Sequence, residues 1–109
     1  MDDVTALAAE HMALARNDPH GRSAHLFLHD GPLRQSVIAL TEGSELNEHN
    51  TPPAASIHVL QGRIRLTEGS ADQDIGAGQI QRVPPLRHGI LALEDAVFLL
   101  TAVTETEPA

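Results

Sequence analysis

The side chains able to do chemistry in this 109-residue chain are seven histidines, seven arginines and fifteen carboxylates, with no lysine and no cysteine. Without Cys there is no disulfide, no thiolate metal site and no thiol nucleophile. Without Lys there is no Schiff-base chemistry. The histidines stand at 11, 20, 25, 29, 49, 58 and 88. Imidazole is the common metal ligand and the acid–base group of neutral pH, so these positions matter most. Arg63 and Arg65 alternate along one strand face and could grip an anion bidentately. Such a pair is more often a solvated face balanced by carboxylates, and Glu68 and an acidic loop lie next to it. Glu42, Glu45 and Glu48 precede His49 and read as loop charges, although a close carboxylate would raise the His49 pKa. Gly76-Ala77-Gly78 is no phosphate loop, because neither a helix nor a Lys follows it. No Ser-His-Asp arrangement can be argued from spacing.

The elements that would position these groups follow from periodicity. Residues 4–16 have the helical repeat, with Val4, Leu7, Ala8, His11, Leu14 and Ala15 on one face. Asp2 and Asp3 lie at its positive end, and Asn17-Asp18-Pro19 stops it. From there the period falls to two. Strands are expected at Ser23–Leu28, Leu33–Leu40, Ser56–Leu60, Arg63–Thr67, Gln79–Val83, Arg87–Leu93 and Ala96–Val103. Glu68–Asp74 reads as a polar loop. Short strands with turn signals every eight to twelve residues describe a sandwich or barrel, not a parallel α/β sheet. One domain is expected: helix and linker over 1–20, barrel over 21–104, and a disordered tail over 105–109.

Composition bounds the partners. Apolar residues make up 41% of the chain, a normal globular share, and Phe27 and Phe98 are the sole aromatics. The core must therefore be built from Leu, Ile, Val and Ala. A net charge of −8 repels phosphate backbones, and two aromatics leave little on which to stack bases. Nucleic-acid binding is not expected. Met1-Asp2-Asp3 opens no signal peptide, and no apolar run approaches the ~20 residues of a spanning helix. The expectation is a cytoplasmic protein without membrane contact.

Two segments resemble the paired motifs of the cupin family. Gly43, five residues and His49, closed by Gly62, follow the first motif, G-x5-H-x-H-x3,4-E-x6-G. Thr51 stands at its second His and Ala55 at its Glu. Gly78, five residues and Pro84 follow the second motif, G-x5-P-x-G-x2-H-x3-N, with His88 one residue early and the Gly and Asn missing. Together with the closing strands of 92–101, the resemblance covers about residues 33–103. It implies an all-β fold, a small double-stranded β-helix or jelly-roll barrel, carrying one N-terminal α-helix.

The same resemblance implies a divalent metal, since cupins bind one through three His and a Glu, a set suited to Fe, Mn, Ni or Zn. Carried over position by position, His49 and His88 survive, whereas Ala55 ligates nothing and Thr51 is a poor neutral ligand. If position 55 points inward, alternation directs Ile57 and Val59 inward and His58 outward. His25 and His29 share a parity and could line a cavity mouth or a solvated face. His11 and His20 are read as bland. Three functions follow as expectations. One is a small-molecule-binding barrel with His49, Thr51 and His88 as polar anchors and at most a weakly held metal. Another is a metal-dependent dioxygenase or isomerase using His49 and His88. The last is an interaction module, pairing as a homodimer through an outer strand bearing His58 and Leu60.

Overall fold

The computed structural model describes residues 1–47, 53–68, 71–83 and 88–104. Helix α1 spans Val4–Arg16. The strands are β1 (Arg22–Asp30), β2 (Leu33–Leu40), β3 (Glu45–Asn47), β4 (Ala54–Gln61), β5 (Arg63–Glu68), β6 (Ala71–Gly76), β7 (Ile80–Arg82), β8 (Gly89–Ala92) and β9 (Ala96–Val103). They form two antiparallel sheets, ordered β1-β2-β9-β4-β7 and β3-β8-β5-β6. The expected strands are all present, with ends shifted by up to two residues. Two strands were not expected. β3 is only three residues long. β6 occupies most of the segment read as a polar loop, because pairing with β5, from Arg63↔Gly76 to Glu68↔Ala71, overrides its Asp-rich composition.

Alternation sorts the side chains into two layers. Between the sheets lie Ile38, Leu40, Ile57, Val59, Ile64, Leu66, Ile90, Ala92, Ala96 and Phe98. Phe98 is fully buried and is the one ring in this layer. On the outer face of the larger sheet, Val37, Ala39 and Val97 meet Ala8, Met12 and Ala15 of the helix. That contact corrects the expected helix face. Met12 is buried and Leu14 is 51% exposed, so the stripe is rotated from the one anticipated. The small side chains Ala8 and Ala15 let the helix lie close to the sheet, which places Met12 rather than Leu14 against it.

The helix begins at Asp3, whose Oδ1 accepts from the backbone N–H of Thr5 (3.0 Å) and Ala6 (3.3 Å). Its buried His11 is not bland. Nδ1 of His11 lies 2.7 Å from Ser23 Oγ, and the ring stacks on His25 with centroids 5.6 Å apart. This tethers the helix to the edge strand β1.

At one end of the barrel the turns close on each other. Asp95 accepts from the Glu42 N–H (2.9 Å) and from Arg16 (3.3 Å), and these bonds hold its carboxyl below the usual range. Gly62 has φ +78°, and any Cβ there would run into the Asp95 carbonyl. The opposite end holds Asp30, Leu33, Asn47, Ala54, Arg82, Gly89 and Val103, as the strand registers require.

Candidate functional site

The strand registers gather the chemically interesting groups at that opposite end. Ala55 in β4 pairs with Ala102 in β9, and Ala102 pairs in turn with Arg34 in β2. Residues directly opposite in a ladder share a face. Ala55 packs against the inter-sheet core, so the whole row faces inward, as expected for position 55. Val83 closes the row on the other side, donating its N–H to the Ala55 carbonyl at 2.9 Å. On β2 the same face carries Ser36, Ile38 and Leu40. The interior thus changes along its length, from the branched aliphatics and Phe98 at the closed end to Ala55, Ala102, Ser36 and Arg34 at the other.

His88 stands at the start of β8 at this same end and is 8% exposed. Its neighbour Gly89 pairs with Asn47 and with Thr67. The Gly89 N–H donates to Thr67 Oγ1 at 3.2 Å, and a Cβ at 89 would stand only 3.0 Å from that oxygen. The lack of a side chain at 89 lets β8 sit against β5 immediately after His88. Of the sequence-predicted site residues, His88 is therefore at the barrel end, on a strand start. His49 and Thr51 lie outside the described residues.

His25 of β1 and His58 of β4 separate from the site, whereas His29 stays at its rim. His58 pairs with Leu99, whose side chain packs on the helix side, so His58 faces out as its parity predicted. His25 and His29 do not share a face as expected. A bulge at Phe27 breaks the register between Leu26 and Leu28. His25 consequently lies opposite Val37 on the helix side, whereas His29 lies opposite Arg34 on the inner side, at the solvent-exposed rim. Arg63 and Arg65 behave as the plainer reading had it. Arg65 pairs with Asp74 at 2.8 Å on the surface and holds that carboxyl below its usual range.

Arg34 was not singled out in the sequence. Its Nε is fully buried and has no hydrogen-bond partner among the described residues. The signal was present: Arg34 has the same parity as Ser36, Ile38 and Leu40, a charge on the apolar face of a strand.

The described residues at this end do not supply the ligand set that the motifs imply, and His49 and Thr51 lie outside them. Ala55 stands where the carboxylate would be and offers no donor. The row that would carry a negative ligand carries the Arg34 cation, which repels a metal ion. Among the described residues, no three His, Asp or Glu side chains converge.

No protein-family model matches the chain, and no curated protein matches it. Solved structures do resemble it. A conserved protein of unknown function from Streptococcus pyogenes is 22% identical, with a TM-score of 0.72 over 82% of this chain and 79% of its own. An RmlC-like cupin from Desulfovibrio desulfuricans is 23% identical, with a TM-score of 0.67 over 75% of this chain and 81% of its own. A cupin-superfamily protein from Desulfitobacterium hafniense is 15% identical, with a TM-score of 0.69 over 77% and 78% of the two chains. Identities this low speak for the fold alone. No helix of the described residues is long and apolar enough to cross a membrane. With its two facing antiparallel sheets and these structural neighbours, the chain has the fold of the small RmlC-like cupins.

Proposed function

We propose that this protein binds a small organic molecule at the polar end of its barrel, without a complete metal site. The observation that supports this reading is the change in the interior along its length. A barrel interior of this width is ordinarily filled by side chains. At this end the inner row carries the small Ala55 and Ala102 together with Arg34, whose Nε is buried without a partner among the described residues, and His88 is buried at the start of β8. Small-molecule sites typically combine such an apolar wall with a few convergent polar groups. The cupin resemblance adds His49 and Thr51 as polar anchors; both lie outside the described residues.

A metabolite screen read by thermal shift tests the proposal, with His88→Ala measured beside the wild type. A ligand that raises the wild-type Tm and has a reduced effect on the variant supports it, since a ligand stabilises the state that it binds. A screen without any stabilising compound counts against it. Elemental analysis of protein purified without chelator, and again after loading with Fe, Mn, Ni or Zn, tests the absence of a complete metal site. Near-stoichiometric metal lost in both His49→Ala and His88→Ala would replace this reading with a metal-dependent one.

A further inference from the structure

Building on the barrel end as a ligand site, we infer that the ligand is an organic carboxylate, held by the guanidinium of Arg34. The orphaned Nε carries the argument. A buried N–H without an acceptor has lost its bond to water with nothing in return, and native proteins tolerate few of them. Arg34 is half-buried, and its Nε has lost water without gaining a protein acceptor. The ion pairs among the described residues are Arg16–Asp95 and Arg65–Asp74, so no described carboxylate neutralises Arg34. An acceptor arriving with the ligand satisfies both deficits.

The geometry selects the acceptor. A guanidinium approached along its Nε edge presents two parallel N–H groups, which match the two oxygens of a carboxylate. Arg34 shares the inner row with Ala102 and Ala55. With strands about 4.8 Å apart, the Ala55 backbone lies roughly 10 Å across the row from that of Arg34, and the one residue between them is the small Ala102. The next inner-face row, Leu100 and Ile57, is apolar, and the half-buried Leu100 suits a hydrocarbon body. Charge balance favours a carboxylate over a phosphate. One guanidinium neutralises one carboxylate, whereas a phosphate monoester carries close to two negative charges and calls for more donors.

The test uses the full-length ¹⁵N-labelled protein, with acetate, benzoate and succinate as probes, benzamide as the neutral counterpart of benzoate, and inorganic phosphate. The Arg34 Nε–H cross-peak is assigned by its loss in Arg34→Lys. It is expected to move saturably with at least one carboxylate and to stay in place with benzamide. Affinity for that carboxylate should fall at least about tenfold in Arg34→Met, equivalent to ~1.4 kcal/mol. If Arg34→Met fails to fold, the wild-type Nε response decides alone. Equal binding of benzoate and benzamide, or unchanged affinity in a folded Arg34→Met, overturns the carboxylate assignment and leaves the ligand site standing. Phosphate bound as tightly as every carboxylate also overturns it, in favour of a general anion site. If no probe moves the Nε signal, the inference falls. The ligand site itself falls only if the metabolite screen is also empty.

Discussion

Arg34 and Ala55 occupy one row of the barrel interior, each paired with Ala102 from its own side. A cation thus shares a row with the position at which the cupin motif places a carboxylate. Restoring that carboxylate should not rebuild a metal site. Ala55→Glu is expected to form an internal ion pair with Arg34 and to compete with any carboxylate ligand. The expected outcome is a loss of carboxylate affinity of at least about tenfold, with no gain of stoichiometric metal, measured by titration and elemental analysis.

Gly62 should be intolerant of any side chain. Its positive φ disfavours a Cβ, and the Asp95 carbonyl occupies the space that the Cβ would need. Gly62→Ala is expected to cost about 2–4 kcal/mol, combining backbone strain with a clash against main chain. Urea denaturation should show a lower midpoint at an unchanged slope. Gly31→Ala makes the comparison: its φ is also positive, but its surroundings are open, so only the strain of about 1–2 kcal/mol remains.

Phe98 should dominate the inter-sheet core. It is fully buried between Ile38 and Val59, its ladder partners, and is the one ring in that layer. Phe98→Ala should cost about 3–5 kcal/mol through lost burial and the cavity left behind. Leu26→Ala, at a position 43% exposed, should stay within about 1 kcal/mol.

The helix tether should be measurable at Ser23. Removing the hydroxyl leaves the His11 ring nitrogen in a site where the ring is 8% exposed. Ser23→Ala is expected to cost about 1–2 kcal/mol. Hydrogen exchange should speed up in α1 before it does in β9, since the helix docks on the sheet from outside.

Acid should weaken the closed end of the barrel. The Glu42 N–H and Arg16 favour the ionised form of Asp95, so its folded pKa lies below the ordinary value of 3.8. Its contribution is therefore fully present above that value and is lost as pH falls through the lower folded pKa. Wild type and Asp95→Asn should differ most in urea midpoint near neutral pH. The gap should narrow in the acid range below 3.8.

Much of this was legible in the chain because burial imposes a period. Leu33–Leu40 and Ala96–Val103 carry the strands that pack on both faces, and the parity that directs Ile57 and Val59 inward and His58 outward is the observed one. The misses have specific causes. Ala71-Asp72-Gln73-Asp74 has no strand pattern of its own and becomes β6 through its ladder to β5. His25 and His29 were read with one parity, but a single extra residue at Phe27 sends them to opposite faces.

By itself the sequence determined an all-β chain with one amphipathic helix, an aliphatic core and no thiol or lysine chemistry, because composition and alternation are local properties. Tertiary structure alone decided which stripe of the helix meets the sheet, which histidines leave the site, and that Arg34 lies in one row with Ala55. Those relations depend on register between strands distant in the chain, β2 against β9 and β9 against β4, and no local pattern encodes that register.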